Sequence, residues 1–420
     1  MQDGREGQRN LEDGQRNGHQ DGNHSKSEGH RSRVSVIIED FTFLWFTLSM
    51  NTGILSIIMH ELPYQFNGLG ILSTIMFVFN IVLFAAMFTV LMLRCILYPR
   101  AIVKACSTNL TELVMMGAVP IAWFTIVAQV GLTASTATWG GHAWFLVAYV
   151  MWWVGTFVMC IVAITVIVVI AKTDIVNVES LNPSMVIPFV GTATDAVVGA
   201  ILINYSHGVT ARLAIPVIIV SYILAGIGFF AAGIIYAAYF IRLINHGLPP
   251  PPQTPGLVLL VGPCGQSAAA AQLLGTAAST YFGQYAKGTF LQASAGSTLR
   301  VVGVLLGLMF VGLGLLFAAF SIYIIVEAAV KRQHQYSLMW WSTIFPMATV
   351  NTAFIAFATD MDSPTFRVLS TIFLICLLID YFLNWAFTLR DVFLGKLLNG
   401  KRSQRPANNN GNGDEREKEH

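Results

Sequence analysis

The stretch VGPCGQSAAAAQLLG, Val261–Gly275, combines alanines and apolar flanks with residues that interrupt helices. It follows the run LVLL, yet it contains one proline, three glycines, two glutamines and one serine. Lipid cannot satisfy the backbone groups that proline and glycine leave free, so such a segment must face protein or a water-filled cavity. The stretch therefore predicts a broken transmembrane helix beside an internal cavity.

The composition of the whole chain places this helix in a polytopic membrane protein. Of 420 residues, 55% are hydrophobic and 11% are charged, and the mean hydropathy is +0.63. Soluble domains carry about a quarter charged residues, and about 20 apolar residues cross a bilayer. We predict an all-α fold with ten spans, at residues 42–60, 70–97, 111–132, 142–171, 184–204, 212–241, 257–279, 301–330, 339–358 and 367–395.

The distribution of basic residues predicts the orientation of these spans. With the N-terminus in the cytosol, only Arg212, Lys287, Arg300 and Arg367 of the 24 Lys and Arg lie outside. This asymmetry is typical of a protein with both termini in the cytosol. Residues 1–40 and 398–420 are polar, and we predict that both are disordered tails flanking a transporter domain at 41–397.

The spans alternate in character along the chain. Even-numbered spans are long and uniformly apolar, whereas odd-numbered spans are shorter and interrupted. The chain is therefore expected to form five helical hairpins, with odd helices around a central pore and even helices as an outer ring. The expected helix breaks are Gly53, Pro120, Pro188, Gly191, Pro263, Gly265 and Pro346.

The odd spans carry hydroxyl and amide side chains but no Lys or Arg within them. Such donors, together with helix ends, suit a weakly bound small anion, whereas a dicarboxylate would more naturally need a bidentate arginine. The alternative is that these side chains only join helices to one another. Candidate pathway residues are Asn51, Thr52, Thr125, Gln129, Thr192, Thr194, Gln266, Ser267, Thr349, Asn351 and Thr352. Gln272 is assigned to helix–helix bonding.

Two residues have more specific candidate roles. Asp195 is an acid deep within the fifth span, and such a carboxyl is a functional hypothesis by default. It could take up a coupled proton, bind a cation, or be neutral and hydrogen-bonded to Thr192 or Thr194. Phe345, just before Pro346, is the candidate for a hydrophobic gate in a narrow pore.

Other functional classes find little support in the sequence. There is no phosphate-binding loop, no His-Glu-x-x-His motif and no Gly-x-Ser-x-Gly motif, so no enzyme activity is expected. The five cysteines have no metal-ligand spacing and predict no disulfide framework. We expect no metal, no cofactor and no nucleic-acid partner.

Four segments together resemble a known family. They are WFTLSMNTGILSII with HELPY (Trp45–Tyr64), LRCILYP (Leu93–Pro99), LPPPPQTPGLVLLVGPCGQSAAAAQLLG (Leu248–Gly275) and WWSTIFPMAT (Trp340–Thr349). The chain resembles the tellurite-resistance/dicarboxylate transporter family, which has the slow-anion-channel fold, and is most similar to its fungal sulfite efflux branch. The resemblance implies five hairpins around an anion-selective pore, a trimer with one pore per subunit, and a pore phenylalanine at Phe345.

The sequence leaves three functional hypotheses open. The first is export of sulfite or bisulfite across the plasma membrane. The second is a proton-coupled malate permease of the same family, favoured if Arg94 or Arg390 reaches the substrate path. The third is a membrane sensor or scaffold that does not conduct. Asn51, Cys264, Ala348 and Asp195 depart from the pattern of the family.

Overall fold

The computed structural model describes residues 33–333 and 335–395. Within them ten helices are long and apolar enough to cross a membrane, which confirms the predicted all-α membrane fold. We number these spans α1 (Phe43–Glu61), α2 (Leu69–Leu97), α3 (Leu110–Ala134), α4 (His142–Lys172), α5 (Pro183–Tyr205), α6 (Ala211–His246), α7 (Pro251–Tyr285), α8 (Ala293–Val330), α9 (Leu338–Asp360) and α10 (Pro364–Phe393). The main departures from prediction are extra turns on α6, α7 and α8.

Each odd span is built in two or three parts, whereas each even span is one continuous α-helix. Four odd spans begin with a 3-10 segment, at Phe43–Trp45 in α1, Pro183–Val186 in α5, Pro251–Leu260 in α7 and Leu338–Thr343 in α9. In α3 a short helix, Leu110–Met115, precedes the main helix Ala118–Gln129, and a π-helical turn, Val130–Ala134, follows it.

Prolines lie just inside the α-helical part of these spans rather than at the break itself. Pro188 is the second residue of its helix, and Pro120, Pro263 and Pro346 are each the third residue of theirs. Proline is tolerated there because the first N–H groups of a helix have no partner within it. In α7 the change from 3-10 to α geometry therefore falls between Leu260 and Val261, two residues before the predicted position.

The prediction that three glycines break helices is wrong. Gly53, Gly191 and Gly265 all lie inside regular α-helices. They are needed for close approach instead: a Cβ atom on Gly53 would lie 2.0 Å from Thr125 Oγ1, and one on Gly191 would lie 2.5 Å from Met159 Sδ. Small residues at such positions let helix backbones approach closely in a membrane.

The odd and even spans occupy different places in the bundle. In the most apolar window of each span, the buried share is 78–100% for odd spans and 22–39% for even spans. Each odd span packs against the even span that follows it, and the odd spans contact one another in the closed order α1, α3, α5, α7, α9 and back to α1. The inner helices thus form a five-membered ring, and the even helices present apolar side chains outward.

Part of the predicted N-terminal tail is structured, which corrects its boundary. Residues Arg33–Asp40 form an α-helix that packs against α2. Ser35 hydrogen-bonds to the hydroxyl of Tyr98 at 2.5 Å, and Arg94 donates to the carbonyl of Glu39 at 3.1 Å. These bonds and the apolar residues of the segment anchor it to the bundle. The rest of the predicted N-terminal tail, residues 1–32, and all of the predicted C-terminal tail, residues 398–420, lie outside the described residues.

Substituting Gly265 with alanine tests the importance of close approach in the ring. Its Cβ would lie 2.0 Å from Thr349 Oγ1 and 2.7 Å from the carbonyl carbon of Thr349, which would force α7 and α9 apart. We expect Gly265→Ala to lower the free energy of unfolding by about 1–3 kcal/mol or more, as overpacking of a core does. Thermal unfolding of the purified protein in detergent measures this change.

Gly312→Ala in α8 is the matched control. A Cβ atom there meets nothing within 4 Å, so alanine should be neutral or raise stability by about 0.5–1 kcal/mol through helix propensity. Equal unfolding temperatures for the two variants would show that the α7–α9 contact does not constrain the ring.

Candidate substrate pathway

A cavity lies inside the ring at the C-terminal ends of the odd spans. It is about 20 Å³, and we call it the C-terminal cavity. Its lining comes from four inner helices and consists of Ile57, Ile58, Glu61, Ile201, Tyr205, Leu273, Thr352, Ile355 and Ala356. A space of this size holds about one water molecule, so the ring is nearly closed at this level.

A much larger cavity lies at the opposite ends of the same helices. This N-terminal vestibule has a volume of about 540 Å³. It is lined by the starts of α3, α5, α7 and α9, together with the end of α6 and the α4–α5 loop. Because four of the five ring helices border it, the vestibule lies over the N-terminal end of the ring.

Helix geometry relates the lining of the C-terminal cavity to positions deeper in the ring. A residue seven positions earlier lies on about the same face of a helix and about 10 Å deeper. Applied to four of the nine residues that line the C-terminal cavity, Ile58, Ile201, Leu273 and Thr352, this rule gives Asn51, Thr194, Gln266 and Phe345. Applied to the other five, it gives Met50, Ile54, Val198, Ala348 and Thr349. We call these positions the middle layer; five of them, on four helices, were proposed from the sequence.

The middle layer contains buried amide side chains and one buried aromatic ring. Phe345 is 1% exposed. Asn51 donates to the carbonyl of Trp341 at 2.7 Å, while its own Oδ1 and the Oε1 of Gln266 are buried with no protein partner. Unpartnered buried amide oxygens are costly, so this layer is chemically suited to water or to a transient ligand.

Several other predicted pathway residues join helices instead. Thr125 accepts a hydrogen bond from Asn80 of α2 at 2.9 Å, and Gln129 donates to Ser56 at 2.6 Å. Asn80 also accepts from Ser49 at 2.7 Å. These bonds link α1, α2 and α3, and Gln129 also donates to Ser73 of α2 at 3.4 Å. Thr125 and Gln129 therefore take part in helix–helix contacts, and their place in the pathway stays a prediction.

The remaining threonines are bonded locally or outward. Thr52 bonds to its own helix and to Tyr381 of α10 at 2.8 Å, so it points toward an outer helix. Backbone carbonyls of their own helices accept from the hydroxyls of Thr192, Thr194, Thr349 and Thr352 at 2.6–3.2 Å. These four bonds do not decide which surface each side chain faces. Thr352 lines the C-terminal cavity, and Thr194 and Thr349 lie seven positions before its lining residues Ile201 and Ala356.

Ser267 and Asn351 also have unpartnered polar atoms, but their side chains lie on a different face of the helix from Gln266 and Thr352. The Oγ of Ser267 and both amide atoms of Asn351 are buried without a protein partner. Each lies next to a residue on the interior face, Gln266 or Thr352, and is therefore turned about 100° away from it. Gln272 donates to the carbonyl of Ala268 at 3.1 Å and contacts Gly307 of α8, in accord with helix–helix bonding.

Asp195 lies at the contact between α5 and the outer helix α4. Its Oδ1 accepts a hydrogen bond from Thr156 at 3.0 Å, and its backbone carbonyl accepts from the indole of Trp152. The predicted bonds to Thr192 or Thr194 are wrong, because those hydroxyls donate to carbonyls of their own helix. Its Oδ2 has no protein partner.

The arginines considered from sequence are paired, and another one borders the pathway. Arg94 forms an ion pair with Glu112 at 2.7 Å, and Arg390 with Asp391 at 2.9 Å. Arg242, at the end of α6, lines the N-terminal vestibule and is 8% exposed. Sequence reasoning did not select it because an arginine at a helix end is typical of a membrane boundary. The PPPP run that follows was the available signal for its burial.

Comparison with known proteins places the chain in a transporter group. A sulfite efflux pump of Arthroderma benhamiae is 26% identical over 353 residues, covering 84% of this chain and 91% of that protein. A sulfite efflux pump of Trichophyton rubrum is also 26% identical, with the same coverage. A putative malic acid transport protein of Schizosaccharomyces pombe is 23% identical over 373 residues, 88% of this chain and 84% of that one.

The family profile described as voltage-dependent anion channel matches residues 40–389, which include all ten spans up to the last turn of α10. The match covers most of the chain and agrees with the resemblance noted from the sequence motifs. The chain therefore belongs to the voltage-dependent anion channel family of membrane transporters.

Proposed function

We propose that this protein exports sulfite or bisulfite through the interior of its five-helix ring, with Phe345 as the gate. The observation that carries the proposal is the pair of cavities at opposite ends of the ring, with a layer of buried amides and Phe345 between them. Phe345 occupies that layer and is fully buried, so its side chain must move before an anion larger than water can pass.

The choice of substrate rests on the chemistry of the middle layer and on the relatives. Asn51, Thr194 and Gln266 offer amides and hydroxyls, and no Lys or Arg is among the residues selected there. Such a layer holds a small monovalent anion weakly, which permits release as well as binding. Relatives named as sulfite efflux pumps align over 91% of their length, which supports sulfite as the first candidate.

Malate remains a second candidate because of one specific observation. A dicarboxylate is recognised best by a bidentate arginine, and Arg242 lines the vestibule through which a substrate would arrive. Arg94 and Arg390, the arginines first considered for this role, are held in ion pairs. A relative named as a putative malic acid transport protein supports the same candidate.

The proposal includes an orientation and a membrane. The strong excess of basic residues on one side supports cytosolic termini, so the N-terminal vestibule would open to the cytosol and the C-terminal cavity to the exterior. We place the protein in the plasma membrane, where export of sulfite would detoxify the cell. The apolar outer faces of the even spans would contact lipid or neighbouring subunits of a trimer.

Expression in cells that lack their own sulfite pump tests the substrate directly. We expect the protein to restore growth on sulfite and to speed sulfite release from loaded cells, while malate uptake stays at background. Sulfite release and malate uptake are measured in parallel on the same cultures, and surface protein is quantified by labelling. We expect Gln266→Leu, which removes an amide from the middle layer, to reach the surface but to release little sulfite, and it serves as the control for indirect effects.

Clear malate uptake without sulfite tolerance would reverse the order of the two substrates. Absence of both fluxes from protein that reaches the surface would favour a sensor or scaffold that does not conduct.

Removal of the Phe345 side chain tests the gate. We expect Phe345→Ala to raise sulfite flux several-fold in proteoliposomes, because the layer loses the group that closes it. Phe354→Ala is the control: Phe354 is also buried but packs on Phe366 and Phe373 with centroids 5.5 and 5.2 Å apart. It should lower stability without raising flux. Equal flux in Phe345→Ala and wild type would exclude the gate.

Two carboxyl groups can be compared for coupling to protons. Glu61 lines the C-terminal cavity beside Tyr205, whereas Asp195 faces Thr156 of α4. Protonating Glu61 would remove a negative charge next to the exit, so sulfite efflux should rise as external pH falls. We expect Glu61→Gln to make efflux independent of external pH, and Asp195→Asn to keep the wild-type pH profile.

The measurement is efflux from proteoliposomes at fixed internal pH, so that the ionisation of internal sulfite stays constant. A profile that becomes flat in Asp195→Asn but not in Glu61→Gln would assign the coupled proton to Asp195.

A further inference from the structure

Two side chains at the end of α6 border the N-terminal vestibule with polar groups that the protein leaves unused. Tyr239 is 3% exposed and Arg242 is 8% exposed, and both line the vestibule. The hydroxyl of Tyr239 and the Nε of Arg242 are buried with no hydrogen-bond partner. Since these residues are three positions apart, they lie on one face of the helix, one turn from each other.

The arginine is held in place while part of its guanidinium stays unpaired. Its Nη1 donates to the carbonyl of Gly247 just beyond the helix, and its Cζ lies 6.0 Å from the centroid of the Tyr239 ring. The bond to Gly247 accounts for a helix-capping role, but it does not account for the large cavity beside the guanidinium. Arg242 borders about 540 Å³ of space, and its Nε has no protein acceptor.

The chemistry of this pair is that of an anion site. A guanidinium and a phenol both donate hydrogen bonds, and a buried cation without a partner is costly. An oxyanion would accept from both groups at once and supply the missing charge. Among residues lining the vestibule, Glu179 is the acidic one, and its side chain is exposed.

We propose that Tyr239 and Arg242 form a docking site for a small oxyanion or carboxylate on an outer helix, beside the start of the pathway. The site rests on the proposed transport function, because it would collect the substrate before it reaches the middle layer. The guanidinium supplies the charge and the Tyr239 hydroxyl supplies the second donor. Its ligand class includes both sulfite and malate.

Anion binding by the purified full-length protein tests the site. Calorimetric titrations with sulfite and with malate are made in detergent without anionic lipid, so that no lipid phosphate competes. We expect Arg242→Gln to weaken binding by about tenfold or more, since it removes a charge-assisted hydrogen bond. Tyr239→Phe, which deletes one oxygen atom and leaves the ring in place, should weaken binding a few-fold.

Two further variants distinguish anion binding at this site from a general effect of the protein's net charge. Arg390→Gln removes the same positive charge as Arg242→Gln, but Arg390 is paired with Asp391 and does not line the vestibule. This variant should leave the affinity for both anions unchanged. Glu179→Gln removes the competing negative charge and should tighten binding. If Arg242 had only a structural role, Arg242→Gln and Glu179→Gln would not change anion affinity in opposite directions.

Transport kinetics give the second readout. Arg242→Gln should raise the KM for the internal anion while the maximal rate changes much less, because the middle layer is intact. Unchanged binding in both Arg242→Gln and Tyr239→Phe, or no binding of either anion by wild type, would overturn the docking site. Malate binding that depends on Arg242, without any sulfite binding or flux, would support the site and contradict the proposed sulfite function.

Discussion

Every backbone N–H and C=O group inside a bilayer must find a partner within the protein, and the inner ring is shaped by that constraint. Where 3-10 geometry changes to α geometry, backbone carbonyls accept hydrogen bonds from side chains of other helices. Asn51 donates to the carbonyl of Trp341 at 2.7 Å, and Tyr236 donates to that of Leu260 at 2.8 Å. The breaks in the odd spans are therefore also the points where those spans are joined to other helices.

The same constraint explains why the fold could be predicted from the sequence. A segment that breaks a helix cannot face lipid, so alternation of broken and uniform spans already separates inner from outer helices. The ten spans and the burial of the odd ones follow from this reasoning. Gly53 and Gly265 show its limit, because a glycine that ends a helix and one that admits a neighbour look alike in sequence.

The direction in which a polar side chain points could be predicted much less well. Gln266 and Thr125 are both polar residues of odd spans, yet Gln266 is on the interior face and Thr125 bonds to Asn80 of an outer helix. Cys264, suspected from its departure from the family pattern, contacts the hydroxyl of Tyr236 and lies against Gly314, away from the face of Gln266. Rotation of each helix depends on partners distant in sequence, which a single sequence does not reveal.

The shared direction of the odd spans has an electrostatic consequence of its own. The odd spans run in one direction through the bundle, so the N-terminal, positive ends of the helix dipoles of α3, α5, α7 and α9 border the N-terminal vestibule. Each helix end carries about half an elementary charge. An anion in this vestibule would therefore be attracted by the backbone itself, in addition to the charge of Arg242. The backbone part of this attraction does not depend on side chains, and it makes the two ends of the ring electrically unequal.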